Sequence, residues 1–596
     1  MRKICLQCET KNLDEYRRLS EFAAEIGVTH VNVGEVEPSL WQWDRNRYDP
    51  YPNWGMYHPT LFKFIVPDVL KQYLPVEYAK RNLENLIARV EILREFGLKA
   101  AFSGMEPGWL PEEVYQDHPE WRGARCDQPR RARAEYYAPC VDQPEVRKFY
   151  TDTVAELCSY APIEYFHLMT NDSGGGLCWS EGLYPGKNGP MWCQDRPIGE
   201  RIASFLSIFQ EGAERAGLHD VEVNVRHIAE NDETAARPLL RRNQSINAHT
   251  KDGSAAFVWI GFPRGETDDH TFPVRLLPRM EYYAEGVQNA QENPENNHFI
   301  SLRSTEDVET ISFLRRFYGK IGKGPLGRTR AITELAASFV GEENADDLAE
   351  IWHLIEQGVS RLDYLQTGGH IFMLGTVHQR WLTRPLVAFP EELTKEEKAY
   401  YRDYQFQAQS EEDADNLLDL QAHRWIGGYS GQFLISRTAA CTLPLFQRAA
   451  EKATRLYQVL PEDRSYRESI RLLILRIRLY LCVIRNAENV CEFQTILDRT
   501  DRSEAPRDRS PVLWEQGDAR MVKINAVVRR EIDNTLEIIT LLKEGGACEL
   551  LLCAPSEEQE TIMRFGPAIL EDLKKKIQIM GKHRRDFTRL YKPLNR

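Results

Sequence analysis

Acidic side chains follow the short apolar runs in the N-terminal half of the chain. Glu35 and Glu37 come after the second run, Glu106 after the third, Asp172 after the fourth, and His227 follows the fifth. In a parallel α/β fold the carboxyl ends of the strands meet at one edge, which is where barrel enzymes place their catalytic groups. Carboxyl groups collected there could serve as general acid, general base or nucleophile. The pattern therefore predicts an acid–base site at this edge.

The segment around Asp172 carries the densest mixture of chemical groups. Residues 170–176 read TNDSGGG, and Trp179 and Tyr184 follow shortly after. Three successive glycines are costly unless the backbone must approach another group closely. Because sugar rings stack on flat aromatic faces and their hydroxyls bind Asn and Asp, this mixture favours a carbohydrate cleft. The glycines lack the spacing and the lysine of a phosphate loop, which argues against a nucleotide site.

Two further segments predict the walls of that cleft. Residues 41–58 form a long aromatic loop, and loops of this length inside compact domains are usually functional. Residues 375–385 combine histidine, arginine and tryptophan in the C-terminal half and could close another side. The predicted substrate-binding set is Asn171, Trp179, Tyr184, His227, Trp54, His58, Trp109, Trp259, Arg303, His378, Arg380 and Trp381.

An Asn followed by an acid at the end of a fourth strand resembles the Asn-Glu pair of the large retaining glycosidase clan. It is also similar to the adjacent acid pairs of the β-hexosaminidase and O-GlcNAcase families. The resemblance implies that Asp172 is the general acid and that Asn171 binds the substituent at C2 of the sugar. The chain departs from the clan in having the shorter Asp where the clan has Glu.

The second catalytic carboxylate stays open in the sequence. A retaining mechanism needs a nucleophile at about 5 Å from the acid, and Glu292 lies roughly where the clan keeps its own, with Asp268 and Asp269 as alternatives. In an inverting enzyme the base could instead be Glu35, Glu37 or Glu106.

The elements that must position these residues are predicted by apolar runs alternating with amphipathic stretches. Strands are predicted at 3–7, 30–33, 98–102, 164–169 and 221–225, and then at 245–248, 257–260, 287–290 and 299–302. Helices are predicted between the early strands at 13–26, 75–96, 145–160 and 198–216. The last two strand candidates are too close for a helical crossover. Residues 1–325 are therefore predicted to form an α/β, TIM-like (β/α)8-barrel catalytic domain.

Beyond residue 325 the strand signal nearly vanishes. Helical periodicity covers 344–365, 411–425, 445–460, 466–486 and 518–544, and the charged stretch 498–511 is predicted to be a loop. An all-helical C-terminal domain is therefore predicted for 326–596. Such a region after a barrel also resembles O-GlcNAcases and α-glucuronidases.

Composition limits the partners. The net charge of −13 argues against nucleic acid and anionic membrane surfaces as partners. The N-terminal residues have no secretory pattern, which predicts a cytoplasmic protein with all twelve cysteines reduced. Cys5 and Cys8 form a CxxC without a second pair, so neither a metal nor a cofactor is predicted.

Three functions remain open from the sequence. The favoured one is a glycoside hydrolase acting on an oligosaccharide or glycoside, with homo-oligomerisation left open. A metal-dependent sugar isomerase or epimerase on the same barrel could use Glu35, Glu106, Asp172 and His227. The third is a non-catalytic carbohydrate-binding protein. The abundant aromatic residues favour the hydrolase, because stacking suits glycan chains better than small free sugars.

Overall fold

The chain divides into two compact units. The computed structural model describes residues 2–8, 10, 12–37, 58–126, 135–170, 177–182, 189–261, 273–302, 304–364, 380–400, 431–498, 519–560 and 564–590. The first unit comprises Met1–Phe262 and Tyr282–Ala331, and the second comprises Pro263–Glu281 and Ile332–Arg596.

A parallel sheet of eight strands is the centre of the first unit. Its strands are β1 Ile4–Gln7, β2 His30–Asn32, β3 Lys99–Met105, β6 Ile163–Met169, β7 Glu222–Arg226, β8 Gln244–Ile246, β9 Phe257–Ile260 and β10 Asn297–Ser301. The order across the sheet is β8-β7-β6-β3-β2-β1-β10-β9, and a separate antiparallel pair is formed by β4 Arg122–Arg125 and β5 Tyr137–Pro139. The predicted α/β architecture is thereby confirmed.

The sheet curls strongly about its inner face. Strands β6 and β9 lie five places apart in the sheet order, which in a flat sheet would separate them by about 24 Å. The ring centroids of His167 on β6 and Trp259 on β9 are nevertheless only 5.3 Å apart. The sheet is therefore a half-barrel that encloses a packed interior, and among the described residues no strand pairing joins its end strands β8 and β9.

Helices follow the strands of the first unit. They are α1 Leu13–Glu25, α2 Val76–Glu95, α3 Glu112–Asp117, α4 Pro144–Tyr160, α5 Ile198–Arg215, α6 Glu230–Ala236, α7 Met280–Glu292, α8 Val308–Phe317 and α9 Gly324–Val340, whose residues from Ile332 onward belong to the second unit. The sequence predicts α1, α2, α4 and α5. The start of α1 shows why helix boundaries can be predicted from the sequence. Asn12 is a typical N-cap residue, and its side chain accepts hydrogen bonds from the backbone N–H groups of Asp14 and Glu15. Gly27, with φ of 81°, follows its end.

One predicted strand is wrong. Residues 287–290 belong to α7, Met280–Glu292, and are helical. Ala284, Val287 and Gln288 are buried on one face at helical spacing, whereas an apolar run of only four residues cannot distinguish a helix from a strand. A Cβ at Gly286 would come within 3.0 Å of the Ile260 Cα. The glycine therefore allows α7 to pack closely against β9.

The second unit is helical where the structure describes it, apart from single β-bridges. Its helices after α9 are α10 Ala345–Tyr364, α11 Lys395–Tyr400, α12 Gly431–Val459, α13 Arg467–Asp498, α14 Ala519–Gly545, α15 Ala547–Leu550 and α16 Ile569–Lys582. The predicted start of α12 was too late, since the helix continues through Pro444. The predicted helix 411–425 and most of the predicted loop 498–511 lie outside the described residues.

Candidate active site at the carboxyl ends of the strands

Inward-facing side chains fill the half-barrel in layers, because alternate residues of each strand point to the same face. At the amino ends of the strands, Lys3 forms an ion pair with Glu222 at 2.9 Å, and Glu222 also accepts a hydrogen bond from Asn297. The middle layer is apolar and comprises Cys5, Ala101, Tyr165, Phe257 and Phe299. The layer at the carboxyl ends is polar and aromatic and comprises Gln7, Ser103, His167, Arg226, Trp259 and Ser301.

His167 is the central polar group of this last layer. Its ring lies 4.5 Å from that of Phe299 and 5.7 Å from that of Phe257, and the residue is 5% exposed. Neither ring nitrogen has a hydrogen-bond partner among the described residues. Burial, reinforced by the charges of Arg226 and His227, holds the pKa of His167 well below its usual range. The imidazole is therefore neutral, and it has one donor and one acceptor that are buried without a partner among the described residues.

Arg226 and Trp259 lie beside His167. The guanidinium carbon of Arg226 is 5.2 Å from the centroid of the Trp259 ring, a cation–π arrangement. Its Nη2 lies 3.7 Å from the Met169 sulfur. Ser103 donates a 2.6 Å hydrogen bond to Gln7 on the opposite side of β2. Flat apolar faces and fixed polar groups thus meet at this edge of the sheet.

Thr170 fixes the end of β6, the strand that leads to the predicted acid. Its backbone N–H and its hydroxyl both donate to the carbonyl oxygen of Arg226 at 3.1 Å, and the hydroxyl also lies 3.0 Å from the carbonyl oxygen of His227. His227 has a φ of 64°, in the left-handed region that non-glycine residues seldom adopt. The predicted site residues Asn171, Asp172, Tyr184, Trp54, Arg303 and His378 lie outside the described residues.

Glu106 is enclosed completely. Its carboxylate accepts hydrogen bonds from the backbone N–H groups of Leu61 and Gly108, at 2.5 and 3.1 Å, and one at 3.4 Å from the Tyr150 hydroxyl on α4. Burial nevertheless outweighs these bonds and raises the pKa of Glu106 to about 7. These partners tie the carboxylate to the 3-10 turn at Leu61–Lys63 and to the helix layer.

The other predicted acids differ in position. Glu35 follows β2 and is 9% exposed, whereas Glu37 is exposed and its backbone carbonyl accepts a 2.6 Å hydrogen bond from Tyr78. Glu292 is exposed at the last position of α7, before β10 begins. The expectation that Glu292 follows a strand is therefore wrong, and it lies on the side of the sheet where strands start.

Two further predicted aromatic residues of the first unit are described, and both pack among neighbouring side chains. Trp109 is 8% exposed and packs with Met105 and Met169. Trp179 has a φ of 60° and its indole N–H donates to the Pro190 carbonyl at 3.1 Å. His58 is half-buried and lies just before the 3-10 turn Leu61–Lys63.

Arg380 and Trp381 are buried inside the second unit. The Arg380 guanidinium donates to the Arg564 carbonyl at 2.8 Å, lies 3.3 Å from Glu560 and covers the ring of Phe565. Trp381 is 0% exposed. Packing therefore accounts for Arg380 and Trp381, and no surface of Trp381 is left for a ligand.

Three cysteines of the first unit form a cluster. The sulfur atoms of Cys140, Cys178 and Cys193 all lie within 4.8 Å of one another and are buried. Among the described residues this is the one group of three His, Cys, Asp or Glu side chains close enough to share a metal ion. Sequence spacing did not reveal it, because the three cysteines come from separate segments. All twelve cysteines are free, as the sequence predicts.

Among the described residues, no helix combines the length and apolarity needed to cross a bilayer.

Comparison with known proteins identifies the fold. No protein-family model and no curated protein matches the sequence. A solved GH138 enzyme targeting pectin rhamnogalacturonan II aligns with a TM-score of 0.51 at 11% identity, covering 98% of this chain and 84% of that one. An O-GlcNAc hydrolase mutant from Thermobaculum terrenum aligns at 0.32 and 9% identity, covering 98% and 96%. A Flavobacterium johnsoniae chitobiase aligns at 0.31 and 10%, covering 97% and 78%.

At 11% identity, the similarity to the GH138 enzyme shows a shared fold. The predicted resemblance to barrel glycoside hydrolases is confirmed at the level of architecture. The chain shares its fold with a glycoside hydrolase of family GH138.

Proposed function

We propose that this protein is a glycoside hydrolase whose substrate binds at the carboxyl ends of the strands. The observation that carries the proposal is the layer formed by His167, Arg226 and Trp259. A sugar ring needs a flat apolar surface for its C–H face and oriented polar groups for its hydroxyls, and this layer offers both. A buried imidazole without a partner is costly in a folded protein, and a ligand hydroxyl would satisfy it.

The chemistry of the proposed reaction needs two carboxyl groups. Asp172 follows two residues after Thr170 in the sequence and is proposed as the general acid, with Asn171 binding the neighbouring sugar substituent. The candidates for the second carboxylate are Glu35, Glu37 and Glu106, together with Asp268 and Asp269, which lie outside the described residues. A separation of about 5 Å from the acid would specify retention of configuration, and about 6.5–9.5 Å would specify inversion.

A screen of aryl glycosides tests the proposal. It should cover hexosaminides, glucosides, galactosides and uronides, the last because a guanidinium fits a carboxylate as well as hydroxyls. Release of the phenol from at least one substrate is expected. Metal-dependent interconversion of free sugars without any hydrolysis would favour the isomerase. Calorimetric binding of glycans without turnover would favour a binding protein.

Replacing Asp172 by Asn tests the assignment of the acid. Turnover of natural glycosides should fall by about 10²- to 10⁴-fold while folding and substrate binding persist. The matched control is Asp533→Asn, an exposed acid on α14, which should leave the rate unchanged. Near-normal turnover in the Asp172 variant would remove this residue as the acid.

A further inference from the structure

Three buried thiols converge from separate parts of the first unit. Cys140 directly follows β5, Cys178 lies in the described stretch 177–182 after β6, and Cys193 ends the 3-10 helix Met191–Cys193 ahead of α5. Their exposed fractions are 0, 3 and 0%. The cluster thus brings together three segments that the parallel sheet does not itself connect.

The backbone near the cluster leaves space for the sulfur atoms at one glycine. Gly189 has a φ of 131°, and a Cβ there would lie 2.8 Å from the sulfur of Cys178, so only glycine fits. Trp179 is held at a φ of 60° and packs against the cluster together with Ala124. Such left-handed conformations in non-glycine residues persist where surrounding contacts hold them.

Polar contacts hold Cys193 in place. Its thiol donates to the Pro190 carbonyl at 3.2 Å. Its own carbonyl lies 3.4 Å from Nη1 of Arg201, whose Nε donates at 2.7 Å to the buried Asp142 carboxylate. The thiolate is the form of cysteine that binds metals.

The spacing suits a thiophilic ion. A tetrahedral zinc ion with bonds of about 2.3 Å holds its thiolates about 3.8 Å apart, and the three sulfurs here lie within 4.8 Å of one another. We propose that Cys140, Cys178 and Cys193 together bind one thiophilic metal ion, Zn²⁺ in the first instance. Water would take the fourth position. The ion would cross-link the end of β5, the segment after β6 and the entry to α5.

This assignment does not depend on the proposed hydrolase activity, because it concerns binding alone. It differs from the sequence-based expectation of no metal, which rested on the missing second CxxC. It also differs from a disulfide, which would join two of the sulfurs and leave the third unused.

Metal content of the full chain tests the site. Protein purified under reducing conditions is loaded with Zn²⁺, dialysed and measured by mass spectrometry of its metals. About one zinc ion per chain is expected. Cys140→Ser, Cys178→Ser and Cys193→Ser should each reduce it to a small fraction. Cys158→Ser, which alters a buried cysteine on α4 outside the cluster, is the matched control and should keep it.

A second measurement needs no variant, so it remains informative if the cysteine variants do not fold. Cobalt loaded into the unaltered protein should give sulfur-to-cobalt charge-transfer absorption and the visible bands of a tetrahedral site. Absence of both zinc retention and these bands would overturn the proposal. So would a mass lower by two hydrogen atoms in the freshly purified chain with a disulfide mapped to two of the three cysteines.

Discussion

At the scale of single residues, His167 joins two properties that normally exclude each other. Aromatic rings enclose the imidazole, yet both nitrogens lack partners among the described residues. Stability alone would favour phenylalanine at this position, since a buried polar group without a partner costs about 1–3 kcal/mol. A hydroxyl group of the proposed glycoside substrate would supply the missing partner.

Replacing His167 by Phe separates binding from packing. Because the ring shape is kept, the melting temperature should stay the same or rise, while kcat/KM should fall by about 10- to 100-fold through the lost hydrogen bonds. Steady-state kinetics and thermal melts on the same variant measure both. A lower melting temperature with unchanged kinetics would contradict a role in the site.

The lowered pKa of His167 adds a dependence on acidity. Below about pH 6.5 the unfolded histidine takes up a proton that the folded one refuses, so this residue lowers the stability of the unaltered protein as the pH falls. The Phe variant should lack that contribution.

Glu106 should make stability depend on pH in the opposite direction. Its pKa rises from 4.5 to about 7 on folding, so between these values the unfolded state loses a proton that the folded state retains. Stability is therefore lost as the pH rises through this window, by about 3 kcal/mol in total. Denaturant unfolding of the unaltered protein and of Glu106→Gln at several pH values measures the difference. A difference that does not vary between pH 4.5 and 7 would contradict the buried carboxyl.

At the scale of elements, contacts between the ends of β6 and β7 fix the residue that precedes Asn171 and Asp172. The Thr170 hydroxyl contacts the carbonyls of Arg226 and His227. Thr170→Val keeps the shape but removes these bonds, which should cost about 1 kcal/mol of stability. Because Thr170 directly precedes Asn171 and Asp172 in the chain, kcat should also fall. The fall should be larger than the decrease in the folded fraction of the protein can account for.

The control for Thr170→Val is Thr151→Val. Thr151 is a buried threonine whose hydroxyl donates to the Arg147 carbonyl within α4. If the two variants have the same unfolding free energy and the same kcat, Thr170 has only a structural role.

The strands were predictable from sequence because each is a local apolar run flanked by turn or helix signals, as at Phe257–Ile260. The curl was not, since it depends on contacts between β6 and β9 that lie far apart in the chain. The sequence analysis did not select His167 for a related reason. A histidine inside a strand carries no local sign of a functional role. Its alternation with Tyr165 and Met169 indicates only which face of the sheet it lies on.

At the scale of the whole molecule, the second unit has a polar interior built around Glu531. Lys576, Asn486 and Asn489 all contact this carboxylate, and Asn486 and Lys576 also bind the carbonyls of Trp381 and Leu382. Residues 380–385, the described part of the segment that the sequence suggested as a cleft wall, are thus part of the core of this unit.

Trp381→Ala should therefore lower stability rather than activity. Removing a fully buried indole costs about 3–5 kcal/mol, and protein that remains folded should keep normal kcat and KM. Thermal melts and kinetics should be compared with Leu536→Ala, which truncates a half-exposed side chain on α14. Raised KM with an unchanged melting temperature would restore the substrate-binding interpretation.

The sheet order has a consequence for how the protein is made. Strand β1 lies between β2 and β10, with Ile4 paired to His298. At about 5–20 residues per second, ribosomes would take on the order of 15–60 s to synthesise the chain between these partners. Throughout that interval the nascent β1 can bind β2, but the backbone N–H and C=O groups on its other edge stay unpaired and can mispair with other chains. Protection by chaperones during translation should accordingly matter more for this protein than for one whose first strand pairs early.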